Sequence, residues 1–252
     1  MQNYCKTIGA LAAASALVAG NASAEVEYEL KTGYTNQYLF RGEDLGDDLV
    51  EAGVNAATSI AGVDLSAGIW YGSYDVSTAK AGTESDVDET DLTFQAAKDF
   101  GFATGAIGYI YYMNETSPGA ALDDDQEVFF SLSRDLGFAN ASLTYYWDIE
   151  DTYDRANGDC YDNEGYTELG LSKSYELNSC LGLNVGTNVG YLAEGGDFTA
   201  WTTKVALDWG FAENAKLSPF VALAVSLGEE VNSQWESTDN EIIAGTALSV
   251  SF

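Results

Sequence analysis

The 252-residue chain contains no histidine. That removes the Ser-His and Asp-His arrangements of barrel hydrolases and proteases, together with the commonest transition-metal ligand. Basic residues are scarce too: 10 Lys and Arg stand against 40 Asp and Glu, for a formal charge of −30. Such a balance excludes nucleic acid as a partner and excludes charge-driven binding to anionic lipid headgroups, since both draw basic patches. With so many acids, two carboxylates close in sequence say nothing about acid–base work. We therefore expect no catalytic residue, no cofactor and no metal centre, and read the protein as a non-enzyme. Proline, methionine and cysteine are rare. No stretch reaches the roughly 20 apolar residues that a membrane-spanning helix needs.

The first 24 residues read as a secretory signal peptide. One positive charge in residues 1–6 precedes a small, apolar segment over 7–20, and Ala22-Ser23-Ala24 offers a cleavage site before Glu25. Cys5 lies in the charged leader and away from the cleavage point, which rules out a lipoprotein. Removal takes only Lys6 from the charge count, so the mature chain carries 9 − 40 = −31. Aromatic residues make up 13% and glycine is abundant, which separates this chain from a disordered acidic tail. Residues 25–252 fit one domain.

The C-terminal run Gly245-Thr246-Ala247-Leu248-Ser249-Val250-Ser251-Phe252 places Leu248, Val250 and Phe252 on one side and smaller or polar residues on the other. A period of two is a strand. Ending on a free phenylalanine, it reads as an assembly signal for the barrel-insertion machinery. Eleven earlier segments alternate in the same way: 26–40, 49–60, 63–74, 90–100, 103–113, 127–135, 139–149, 166–177, 181–192, 198–209 and 217–227. With 241–252 they make twelve. Each has about the length that crosses a bilayer when tilted.

Connections alternate as well. Those at 61–62, 101–102, 136–138, 178–180 and 210–216 are mostly tight; those at 41–48, 75–89, 114–126, 150–165 and 228–240 are longer and acidic, with 193–197 a short exception. Short turns on one rim and long loops on the other predict an all-β fold: an antiparallel transmembrane β-barrel of about twelve strands, with long acidic extracellular loops and short periplasmic turns. In 139–149, Ala139, Ala141, Leu143, Tyr145, Trp147 and Ile149 share one side, and Asn140, Ser142, Thr144, Tyr146 and Asp148 the other. Segment 181–192 repeats the division. A soluble barrel would turn the apolar face inward, and periodicity alone does not see that inversion. Tyr145, Trp147, Tyr191, Trp201 and Trp209 lie toward strand ends on the apolar face, as an interfacial girdle would.

Tyr38-Leu39-Phe40-Arg41-Gly42 resembles the Y-x-F-R-G signature near the start of the Gcw-type (TorF-like) outer-membrane porin family. Tyr146-Trp147-Asp148, Leu217-Ser218-Pro219-Phe220 and the Ser-Val-Ser-Phe end extend the resemblance loosely over the chain. Where that family often continues with a polar Ser/Gln run, Glu43-Asp44-Leu45-Gly46-Asp47-Asp48 follows here. The resemblance implies an outer-membrane barrel of porin type.

Alternation aims Lys31, Arg41, Glu51, Asp99, Asp148, Glu168, Glu176, Lys204 and Asp208 into the lumen or its mouth. Arg41 is expected to pin a loop by pairing with Glu43 or Asp44. Cys160 falls in an outer loop and Cys180 in a periplasmic turn, a strand length apart; either both thiols are free or the strand between them is misplaced. The acidic clusters 86–89, 123–125 and 148–154 could hold divalent cations, but none has the spacing of a calcium loop, and a solvated surface is the favoured account. The sequence thus points to an outer-membrane channel for passive diffusion of small hydrophilic solutes, weakly cation-selective. Its expected surroundings are outer-membrane lipid and lipopolysaccharide, and a homo-oligomer is compatible. A non-transport barrel with a surface structural or adhesive role, or a secreted soluble barrel holding an apolar ligand, are the alternatives.

Overall fold

The structure, a computed structural model, describes residues 25–78, 83–116, 124–149, 152–154, 159–161, 165–193, 196–228 and 240–252. The strands in order are β1 (Glu27–Phe40), β2 (Glu43–Ile60), β3 (Val63–Thr78), β4 (Thr83–Asp99), β5 (Thr104–Thr116), β6 (Asp125–Asp135), β7 (Asn140–Asp148), β8 (Thr152–Asp154), β9 (Asp159–Tyr161), β10 (Tyr166–Asn178), β11 (Leu181–Leu192), β12 (Asp197–Gly210), β13 (Ala215–Ser226) and β14 (Glu241–Ser251). Twelve of them close into one antiparallel barrel in which each strand pairs with its neighbours along the chain, and β1 pairs with β14 at the seam. The remaining two, β8 and β9, form a small hairpin in the connection between β7 and β10. Residues 1–24, read above as a signal peptide, lie outside the described residues.

The start of β1 and the C-terminal residue meet at one rim, where Phe252 and Tyr28 exchange backbone hydrogen bonds of 2.9 and 3.3 Å. The turns on this terminal rim are tight. At Ala61-Gly62 both residues have positive φ, 53° and 75°, the twist that matches a two-residue hairpin. The opposite rim departs from expectation. The segment 41–48 is no loop: β2 begins at Glu43, and only Arg41 (φ 54°) and Gly42 (φ 94°) turn the chain. Likewise β3 runs on to Thr78 and β4 starts at Thr83, so most of 75–89 is strand. Acid-rich runs have low strand propensity, yet a hairpin whose register is already set extends itself by pairing.

Outward positions are apolar. Leu30, Ile69, Phe94, Ile107, Phe130, Leu143, Leu171, Val205 and Val221 all lie exposed on the outer face, and no large side chain among the described residues is fully buried. In water this surface would forfeit about 1.5–3 kcal/mol for each large apolar side chain left unburied. Phe100, Phe102, Phe138, Trp209 and Phe211 are exposed at the terminal rim, and Trp147 and Trp201 toward the other. Cys180 occupies the turn between β10 and β11 and is disulfide-bonded. The reading of a free thiol there is therefore corrected, while β10 itself stands where alternation put it.

Candidate functional site

Inside the barrel the decisive feature is the end of the β1–β2 hairpin. Backbone pairing of β1 with β14 stops at Thr35↔Gly245. At the next position the Asn36 side chain takes over: its Nδ2 donates to the Ile242 carbonyl (3.4 Å) and its Oδ1 accepts from the Ala244 N–H (2.6 Å). The edge of β14 is thus satisfied by an amide while the β1 backbone leaves it. Pairing with β2 continues to Phe40↔Glu43 through a register shift at Tyr38/Leu39, and the pairing of β2 with β3 shifts at Asp47/Val50. Bulges of this kind bend a strand. The two strands leave the wall together, as an arm.

The arm crosses the lumen. In the barrel order β7 stands opposite β1, with β6 and β10 at its sides. The Arg41 guanidinium at the tip reaches them all. Nη1 and Nη2 donate to the two carboxylate oxygens of Glu127 on β6, each at 2.5 Å. Its Cζ lies over the rings of Tyr146 of β7 (4.2 Å), Tyr166 of β10 (4.9 Å) and its own neighbour Phe40 (4.6 Å). Tyr112 of β5 donates to Glu127 at 2.9 Å. Bidentate pairing and aromatic stacking are the two contacts that a planar guanidinium makes best. Burial works against the Arg41 charge, but the hydrogen bonds and charge of Glu127 outweigh it and hold the proton more firmly than water does. Beside the tip, Gly42 lies against β12: a Cβ there would stand 2.9 Å from that of Ala200, and φ is 94°, so glycine is required twice over.

At the root of the arm, Tyr38 packs against Tyr74 (4.9 Å) and Trp70 (5.8 Å), and Leu39 against Ala222, Ala224 and Ile243. The arm roofs a lumenal cavity of about 720 Å³. Its two sides differ. Toward β3–β7 the inward positions carry bulk: Trp70, Ile110, Tyr112 and Tyr146 line it, with Phe129 packed over Gly108. Toward β10–β14 they are mostly small or polar. The inward set of β11 is Gly182, Asn184, Gly186, Asn188 and Gly190, and Ala206, Ala222 and Ala247 continue the pattern. Ion pairs punctuate the lining: Lys31 with Glu51 at 3.0 Å, and Lys216 with Asp208 at 3.3 Å. Trp70 Nε1 also donates to Glu51 (2.7 Å), and Asn188 to Glu168 (2.8 Å).

Of the residues that alternation aimed inward, Lys31, Arg41, Glu51, Glu168, Lys204 and Asp208 line this cavity. Asp148 is buried opposite Glu127 at the loop rim. Asp99 and Glu176 do not reach the cavity: both are exposed at the terminal rim, where Asp99 accepts the Gly101 N–H (2.7 Å). Inward parity is not enough there, because the strand ends outrun the enclosed space. Arg41 pairs with Glu127 in place of Glu43 or Asp44, and Asp44 instead accepts from Gln37 (2.8 Å) and the Gly46 N–H (3.1 Å). Glu127, Asp91 and Lys216 were missed as site residues although they too sit at inward positions of alternating strands; nothing in their spacing joins Glu127 to Arg41. Among the described residues no cluster fit for a metal ion is present; the acidic run 86–89 lies on β4, paired in the barrel wall, while 123, 150 and 151 of the other two runs fall outside the described residues.

No family model matches the chain, and no curated protein matches it in sequence. Solved structures do. An outer membrane channel from Pseudomonas putida F1 is similar at a TM-score of 0.61 and 9% identity, covering 92% of this chain and 97% of its own. The NanC porin is similar at 0.54 and 12%, covering 88% and 98%. The translocator domain of the autotransporter NalP from Neisseria meningitidis is similar at 0.50 and 13%, covering 93% and 90%. At such identities the likeness is one of fold, and the fold they share with this chain is the closed β-barrel.

Proposed function

We propose that the protein is an outer-membrane channel through which small hydrophilic solutes diffuse passively, with weak cation selectivity. The observation that carries this reading is the inverted polarity of the closed barrel: an apolar outer face around a polar cavity of about 720 Å³. A soluble barrel holding an apolar ligand needs the opposite arrangement. Barrels of channel and porin type among the similar structures support it. On this reading the terminal rim faces the periplasm and the loop rim faces outward. Selectivity follows from charge. Lys31, Arg41, Lys204 and Lys216 face Glu51, Glu89, Asp91, Asp125, Glu127, Asp148, Glu168 and Asp208 across the lumen and its outer mouth, a formal charge of 4 − 8 = −4. Low-dielectric walls focus such a surplus.

The arm narrows the path and favours one second reading, a barrel that does not transport and serves the surface as structure or adhesin. Reconstitution of the purified protein in planar bilayers decides between them. Discrete conductance steps are expected; a sealed bilayer at every voltage would overturn the channel and leave the non-transport barrel.

A further inference from the structure

Only nine basic residues remain once the leader's Lys6 is set aside, and four of them, Lys31, Arg41, Lys204 and Lys216, line one cavity. Three are matched by a carboxylate: Lys31 by Glu51, Arg41 by Glu127, Lys216 by Asp208. Lys204 is different. Among the described residues it has no carboxylate within ion-pair distance, in a chain with four acids for every base. Its ammonium rests on the face of Phe220, 3.6 Å from the ring centroid. A ring face steadies a cation without neutralising it, so the charge stays available.

The surroundings of Lys204 leave room. Its cross-strand partners are Gly186 on β11 and Ala222 on β13. Along β12 its inward neighbours are Thr202 and Ala206. A Cβ at Gly186 would meet nothing nearer than 3.9 Å. Around this space stand the neutral hydrogen-bonding groups Asn184, Asn188, Thr202 and Ser218, of which Asn188 donates to Glu168 and Ser218 to Asp208, with the Lys31–Glu51 pair acting on Lys204 through space. One unmatched cation ringed by amides and hydroxyls, beside open volume, is the pattern of a pocket in which a few placed polar groups orient a ligand.

We infer that Lys204 anchors a binding site for a small hydroxylated carboxylate on the β11–β13 wall. The inference rests on the channel reading and names the class of solute that pauses in it. The acid-rich loop rim is a barrier to anions and Lys204 a local well behind it. Chloride gains only the charge. A carboxylate that also carries hydroxyls gains the hydrogen bonds of the surrounding groups, which sets it apart.

Gluconate is the probe, with glucose and chloride as controls. In planar bilayers in potassium chloride, millimolar gluconate is expected to reduce the conductance of the wild-type protein in a saturable way, and glucose at the same concentration to leave it unchanged. Lys204→Gln should raise the half-blocking concentration at least tenfold. Lys98→Gln, at an exposed position on the terminal rim, should not. Equilibrium dialysis of labelled gluconate against the detergent-solubilised barrel reads the site whether or not the protein conducts. Binding lost in Lys204→Gln supports the site, and if conductance is absent it does so while the channel reading falls. No saturable binding to the wild type, or equal binding to both proteins, overturns the site even where conductance is normal.

Discussion

The two sides of the lumen are built from the same kind of strand and filled in opposite ways. From β3 to β7 the interior is taken up by rings, with Phe129 and Tyr146 5.8 Å apart and the arm's tip locked among them. From β10 to β14 glycine, alanine, serine, threonine and asparagine predominate, interrupted by Tyr166, Phe220 and Ile243, and these strands supply more of the cavity's lining than β3 to β7 do. The difference teaches where a closed barrel keeps its open volume. A twelve-stranded cylinder is wide enough to leave a lumen but narrow enough for side chains to fill half of it. Bulk on one wall gives the arm something to hold; its scarcity on the other leaves open volume.

Cutting the arm from the bulky wall is expected to have the largest effect. The Arg41 and Glu127 side chains keep only 11% and 7% of their surface exposed. Removing one partner of a buried pair strands the other, a cost of about 3–5 kcal/mol. Arg41→Ala should therefore lower the barrel's resistance to urea in detergent and, with the tip unpinned, raise single-channel conductance severalfold. Unchanged conductance would show that the arm does not obstruct the path.

Seen from outside, the two walls should be indistinguishable. Phe130 on β6 and Leu171 on β10 both face outward and are about equally exposed, at 45% and 41%. An arginine at either place meets hydrocarbon, at about 2–4 kcal/mol near the bilayer midplane. Phe130→Arg and Leu171→Arg should thus destabilise the lipid-embedded barrel alike, measured by equilibrium unfolding in vesicles. A large inequality would mean that one face is covered by protein, as in an oligomer.

Identical glycine substitutions inside should separate the walls. At Gly108 a Cβ collides with the Phe129 ring and stands 2.7 Å from the Phe94 carbonyl oxygen, whereas at Gly186 the nearest atoms are at 3.9 Å. Gly108→Ala is expected to cost about 1–3 kcal/mol through overpacking. Gly186→Ala should be neutral or stabilising by about 0.5–1 kcal/mol, since glycine is the poorer strand residue. Heat-modifiable migration on gels ranks the two.

These contrasts also mark how far the sequence could be read. Strand number and placement were legible because the lipid face imposes a strict period of two, so that β11 matches the alternating segment 181–192 at both ends. Inward parity likewise brought six of the nine chosen residues to the cavity. The arm was not legible. Residues 43–48 are acidic and glycine-bearing, a composition that elsewhere means loop, but a strand lying within a polar lumen has no lipid face to reveal it. Nor could the Arg41 partner be chosen, because forty acids offer too many, and Glu127 meets Arg41 only through closure of the barrel. Asn36 was the available sign: a side chain that mimics the backbone, placed where the strand must leave its neighbour.

The smallest effect concerns ions. Carboxylates gather toward the loop rim, where Glu89, Glu127 and Asp148 are buried and Arg41 is the cation among them; the lysines lie nearer the terminal rim. A formal surplus of negative charge over the described lumen and its mouth should favour potassium over chloride modestly. The separation of signs along the axis should make current depend on voltage polarity. Both effects act through water, so screening weakens them as the Debye length shortens from about 10 Å at 0.1 M to about 3 Å at 1 M. Reversal potentials across a potassium chloride gradient are expected to show cation preference at 0.1 M and almost none at 1 M. Glu168→Gln, which removes a negative charge from the lining while keeping an amide for Asn188, should reduce the preference without closing the channel. Anion preference at low salt would instead mean that the lysines of the small wall govern permeation, and that the acids at the mouth are neutralised before a solute meets them.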